Sequence, residues 1–168
     1  TSGVVVLVVI TPTGMQQRFG MTAGHTFALS SVGIGFLNVG CVLAGLLVDR
    51  VGAWRALMVY SLVLPLGISA LYASLVGQWG VTWLAYGLAG LGCGVVGVVP
   101  SVMVGLFPAE IRVSGISFTY NVAYALWAST TPLALIALMP WSPWVCVGFC
   151  AVMGAVGLLT ALYFGARE

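Results

Sequence analysis

The 168-residue chain carries five Arg, no Lys and three carboxylates for a net charge of +2, with 5% of its residues charged and 61% hydrophobic. A water-soluble domain coats itself with about 25% charged residues, and so few scattered charges also exclude a nucleic-acid-binding face. Apolar runs of roughly twenty or more residues, separated by short charged clusters, read instead as multiple membrane spans.

The chain opens with TSGVVVLVVI, which has an apolar core but lacks the positive flank and small-residue cleavage site of a signal peptide. Residues 3–10 are too short to cross a bilayer, and Thr11-Pro12-Thr13-Gly14 follows with helix-breaking chemistry. The segment at about 3–13 thus reads as the outer end of a helix whose beginning is missing. Five spans of the length an ~30 Å hydrocarbon core requires follow at about 27–48, 56–76, 81–107, 115–139 and 143–164. The connections 49–55, 77–80, 108–114 and 140–142 leave no room for a soluble domain, so the expected fold is all-α, a polytopic membrane helix bundle with antiparallel neighbours.

Arg50, Arg55, Arg112 and Arg167 fall on one side of these spans and Arg18 on the other. Because cytoplasmic loops retain positive charge, this places the C-terminus in the cytoplasm. Trp79, Trp83, Trp141 and Trp144 then lie near the outer face, where amphipathic rings prefer the headgroup region. Cys41, Cys93, Cys146 and Cys150 fall inside spans and His25 outside them, with no metal-site spacing. Cys146 and Cys150, one helical turn apart, read as small packing groups. No cofactor or metal is expected. The spans hold no His/Asp, Ser/His or paired-carboxylate arrangement, so no enzymatic activity is expected either.

In the third full span Gly87, Gly90, Gly94, Gly97, Ser101 and Gly105 recur every three or four residues and line one helix face. Such a groove lets a neighbouring backbone approach closely. It serves either static packing or a seam along which a neighbour slides, the latter favoured by the backbone bond that Pro100 removes. In the fourth span Ser114, Ser117, Asn121, Tyr124, Ala128 and Thr131 form a polar stripe flanked by Tyr120 and Trp127, and Pro132 is expected to open a local break. Ser31, Gly35, Asn38, Cys41 and Gly45 make a comparable stripe in the first span. Asn38 and Asn121 are either interhelical glue, each contributing on the order of 0.6 kcal/mol, or part of the wall of a wet cavity between two facing helices. Candidate solute-path residues are Ser31, Asn38, Ser117, Tyr120, Asn121, Tyr124 and Thr131. No charged residue is expected deep in any span, so the chain offers no intramembrane proton carrier.

The loop GLLVDRVGAWRAL, with Gly45, Asp49, Arg50, Gly52 and Arg55, resembles the GxxxDRxGRR motif of the major facilitator superfamily. Ala53 and Trp54 stand where that motif has its basic pair. The stretch LFPAEIRVSGISFTYNVAYALWASTTPL resembles the helix ten–eleven connection and helix eleven of the superfamily's metabolite:proton symporters, the branch with proline/betaine, citrate, 2-oxoglutarate and shikimate transporters. The resemblance runs from about Thr11 to Phe164 and maps the partial helix to seven and the full spans to eight through twelve.

It implies the C-terminal half of a twelve-helix, proton-coupled symporter working by alternating access in a multi-pass cell membrane, a bacterial inner membrane. Its partners would be the lipid bilayer, the missing N-terminal six-helix half, a small-molecule solute and protons. Glu110 and Arg112, with Asp49 and Arg50, would form a cytoplasmic gate against the other half. For Glu110 and Arg112 an orientation signal with a helix-start charge pair is the other reading. The titrating carboxylates of the family lie mainly in the N-terminal half, so this half should not transport alone. A non-transporting membrane interaction module is the alternative.

Overall fold

The computed structural model describes residues 2–78 and 80–166. Thr1, Trp79, Arg167 and Glu168 lie outside the described residues, and with them the expected places of Trp79 and Arg167. Every regular element among the described residues is helical. Helix α1 is Ser2–Gln17, α2 is Ala23–Val51, α3 is Ala53–Val76, α4 is Thr82–Leu106, α5 is Arg112–Leu138 and α6 is Val145–Gly165. Each helix from α2 to α6 is long and apolar enough to cross a membrane. Leu66, Leu84, Val113 and Leu133 point outward with at least two thirds of their surface free, a surface suited to lipid.

The helix ends follow from local chemistry. The Thr22 hydroxyl accepts from the His25 N–H and caps α2. Gly52 both ends α2 and begins α3: its N–H donates to the Val48 carbonyl at 2.9 Å, and its own carbonyl accepts from Ala56 at 3.1 Å. Its φ of 87° and ψ of 160° lie in a region essentially reserved for glycine. One residue thus folds two long helices back on each other.

Two prolines do not end their helices as the sequence suggests. α5 continues through Pro132 to Leu138. α1 continues through Pro12 to Gln17 by adopting a π turn at Val6–Ile10. There the Thr11 N–H donates to the Val6 carbonyl, five residues back, so Leu7 loses its usual donor, and Pro12 has no N–H to replace it. The Tyr86 hydroxyl supplies the missing donor, reaching the Leu7 carbonyl at 2.7 Å. The helix survives because another helix completes its hydrogen bonding.

α4 is interrupted at Gly94, between Thr82–Cys93 and Val95–Leu106. Tight i→i−3 bonds, Gly94 to Leu91 and Gly97 to Gly94, bridge the break. It lies two residues before Val96, whose carbonyl Pro100 cannot pair.

α3 is central, packed on α4 and on α6, while α2 lies along α4. Two apolar clusters divide the bundle along its length. The first joins Leu7 and Ile10 of α1, Leu29, Ile68, Tyr72, Tyr86, Leu135, Cys146 and Cys150. The second joins Ala44, Trp54, Tyr60, Val98, Val102 and Ala161. α1 and α5 contribute buried residues only to the first. Arg18, just past α1, donates to the Met139 carbonyl at the end of α5. At 1.5 Å per residue, Ser2 lies about 24 Å back along α1, level with the middle of α5.

Candidate functional site

The glycine face of α4 meets backbone. A Cβ on Gly90 would sit 2.2 Å from the Gly33 carbonyl oxygen, and one on Gly94 2.4 Å from the Gly40 carbonyl carbon. A Cβ on Gly97 would lie 2.9 Å from the Cys41 carbonyl oxygen, and one on Gly87 3.2 Å from the Phe36 ring. α2 and α4 thus touch main chain to main chain, an approach that a glycine on at least one side of each contact permits. Ser101 is half-buried, and Gly105 has nothing near it. Two further close approaches carry no evident periodic signal in the sequence. Gly67 and Gly92 bring α3 onto α4, and Gly154 and Gly157 bring α6 onto Ser61 of α3.

Since Leu29, Ser30, Gly33, Gly40 and Ala44 form the buried face of α2, the Ser31–Gly35–Asn38–Gly45 stripe is on the opposite side. Ser31 and Asn38 are exposed, and Gly35 and Gly45 have no neighbour within 4 Å. Ser31 donates to the Phe27 carbonyl at 2.9 Å and Asn38 to the Ile34 carbonyl at 2.8 Å, both within α2. Cys41 is half-buried at the stripe's edge.

On α5 the stripe continues the face that packs on α1. Thr131 and Leu135 are buried and Ala128 rests on the first cluster, whereas Ser114, Ser117, Asn121 and Tyr124 are exposed. Ser114 donates to the Ile111 carbonyl at 3.2 Å and Asn121 to the Ser117 carbonyl at 2.7 Å. The Tyr120 and Tyr124 rings stack with centroids 6.0 Å apart. The Thr131 hydroxyl is buried without a hydrogen-bond partner, although Pro132 deprives the Ala128 carbonyl of its helical donor.

α2 packs on α4 and α3, and α5 packs chiefly on α1, so the two helices that carry the polar stripes share no extensive packed seam. Close approach decides the partner of α2, because its glycines and those of α4 draw the two helices together. Both polar stripes lie on open surface, and the five clefts described on the bundle are lined by other residues.

Asp49, Arg50, Arg55 and Glu110 are exposed around the ends of α2 and α5. Arg112 is half-buried, and its Nε donates to the Phe107 carbonyl at 3.1 Å, closing the 107–112 turn on itself. At the other end His25 stacks on Trp83 at 5.6 Å, and Trp141 and Trp144 are exposed.

A polar group that the sequence reading missed lies inside the first cluster. Tyr86 joins Leu7 and Ser30, and the Tyr72 hydroxyl lies 3.3 Å from that of Thr11, which also bonds the Val6 carbonyl. Its signal was present in Pro12: a proline inside an apolar run frees a carbonyl that needs a donor from elsewhere.

Among the described residues no group of three or more His, Cys, Asp or Glu is placed to hold a metal ion, and the four cysteines are free thiols. The chemistry on the open faces is that of hydroxyls, amides and aromatic rings. They can hydrogen-bond and stack on a polar solute. No protein-family model matches the chain, and no solved structure matches it significantly.

Proposed function

We propose that this chain is the C-terminal bundle of a secondary-active transporter of the major facilitator type, in its metabolite:proton symporter branch, with its C-terminus in the cytoplasm. A second bundle supplies the coupling carboxylates, and the two rock about a midplane site to move a small polar solute. This bundle alone does not transport.

One observation carries the reading. Two helices apolar enough to cross a membrane each present an Asn and hydroxyls on a face that the rest of the bundle leaves uncovered. Within the helix each Asn uses one donor, and its other donor and its carbonyl remain. Hydrocarbon cannot satisfy them, so such a face requires water, solute or another protein surface. The Tyr120–Tyr124 stack beside Asn121 adds an aromatic platform of the kind that polar metabolites pack against. Asp49, Arg50, Arg55 and Glu110, exposed at one end, are available for charged contacts that form in one state of the cycle and break in the other. The resemblance in the 106–133 segment names the family.

The test places single cysteines at Ser117, Asn121 and Asn38, in a Cys41→Ser background, within the full reading frame that contains this chain. Their reaction with a membrane-impermeant thiosulfonate is compared with that of Phe118→Cys, on an apolar part of α5. A water-lined path predicts labelling at least tenfold faster at the stripe positions, slowed by the transported solute. Labelling as slow as at Phe118 refutes the path. Cross-linking of Asn121→Cys to a second copy, with no uptake of any solute, identifies an interaction module instead.

A further inference from the structure

We propose that the cleft between α2 and α3 binds one phospholipid with an anionic headgroup, its phosphodiester on Arg50 and an acyl chain along the cleft. The proposal shares Arg50 with the transport reading but does not rest on that reading.

The cleft has a volume of about 530 Å³. Its α2 wall is Leu43, Leu46 and Leu47, its α3 wall Val59 and Val63, and Arg50 is the one charged residue of its lining. Leu91 of α4 forms its inner end and lies against Gly40, where a Cβ would meet the Leu91 carbonyl oxygen at 2.7 Å. The Tyr60 hydroxyl is already donated to the Gly40 carbonyl at 2.8 Å, so the walls offer a ligand almost only hydrocarbon.

Length identifies the occupant. From the level of Gly40 to Arg50 is about 15 Å at 1.5 Å per residue, half of an ~30 Å hydrocarbon core and thus the depth of one leaflet. Arg50 is the penultimate residue of α2, so in a membrane spanned by α2 it stands where headgroups lie. An apolar trough one leaflet deep with a guanidinium at its rim matches an acyl chain joined to a phosphate. The planar guanidinium fork pairs with phosphate oxygens. The lining holds a cation and no carboxylate, so the site favours a headgroup of net negative charge.

The test is lipid retention by the intact chain in detergent with equal phosphatidylglycerol and phosphatidylcholine, read by native mass spectrometry. Phosphatidylglycerol is expected to be retained about fivefold over phosphatidylcholine, the preference that one cation near the headgroups supplies. Arg50→Gln should bring the ratio to about one, and Leu46→Trp, which crowds the trough, should reduce retention of both lipids. Arg55→Gln, outside the cleft, should leave the ratio unchanged. Equal retention by the unaltered chain, a preference that survives Arg50→Gln, or one lost equally with Arg55→Gln overturns the proposal. So does efficient Leu46→Cys cross-linking between two copies in dilute nanodiscs, which would make the cleft a protein interface.

Discussion

Replacing Gly90 with alanine tests the packing of α2 on α4 most directly. The added Cβ would lie 2.2 Å from the Gly33 carbonyl oxygen and 3.1 Å from its carbon, and ordinary contact begins near 3.4 Å. Because the obstacle is main chain, no rotamer can swing away. The helices must separate by about 1.2 Å, the difference between 3.4 and 2.2 Å. A gap of 0.5–1 Å forfeits roughly a quarter to a half of each dispersion contact along a seam, and overpacking costs about 1–3 kcal/mol. Gly35→Ala on α2 is the control, since nothing lies within 4 Å of its Cβ, and the higher helix propensity of alanine makes it neutral or slightly stabilising. Reversible unfolding in mixed micelles, followed by circular dichroism, should show Gly90→Ala less stable by 1 kcal/mol or more and Gly35→Ala unchanged. Equal stability of the two variants would refute main-chain contact between α2 and α4.

Tyr86→Phe leaves the buried Leu7 carbonyl unpaired and should cost about 1–2 kcal/mol in the same unfolding measurement. In a Pro12→Ala background, where residue 12 regains an N–H, that cost should fall by more than half, and an undiminished cost would break the link between the π turn and Tyr86. Gly52→Ala forces a side chain into a backbone region with φ of 87° and should destabilise the α2–α3 hairpin by about 1–3 kcal/mol, with proteolysis between Asp49 and Arg55 as the readout.

The all-helical class and the long apolar helices were legible in the sequence because both depend on one-dimensional quantities, length and local hydropathy. The spacing of Gly90, Gly94 and Gly97, which meet α2 main chain, was visible for the same reason, since it lies within one helix, whereas Gly105 of the same series meets nothing. The π turn was not. It depends on a bond between Tyr86 and Leu7, 79 residues apart, and nothing local to Pro12 states which helix will bring the donor. The stripes show where spacing stops informing. It gives the face on which Asn38 and Asn121 lie, yet which helix stands opposite depends on how closely other pairs can approach. Gly33 and Gly40 opposite Gly90 and Gly94 settled that in favour of α4.

The same contacts divide the bundle mechanically. α2, α3, α4 and α6 meet through glycines at main-chain distance, where small displacements cost many contacts at once. α5 is held differently, by Ala128, Thr131 and Leu135 against α1 and by a few contacts to α4 and α6. Its half bearing Ser117, Asn121 and Tyr124 touches little of the platform. The free energy of that half is therefore set by what lies across from it. Facing hydrocarbon, the remaining amide groups of Asn121 go unsatisfied, while water or a polar protein surface restores their hydrogen bonds.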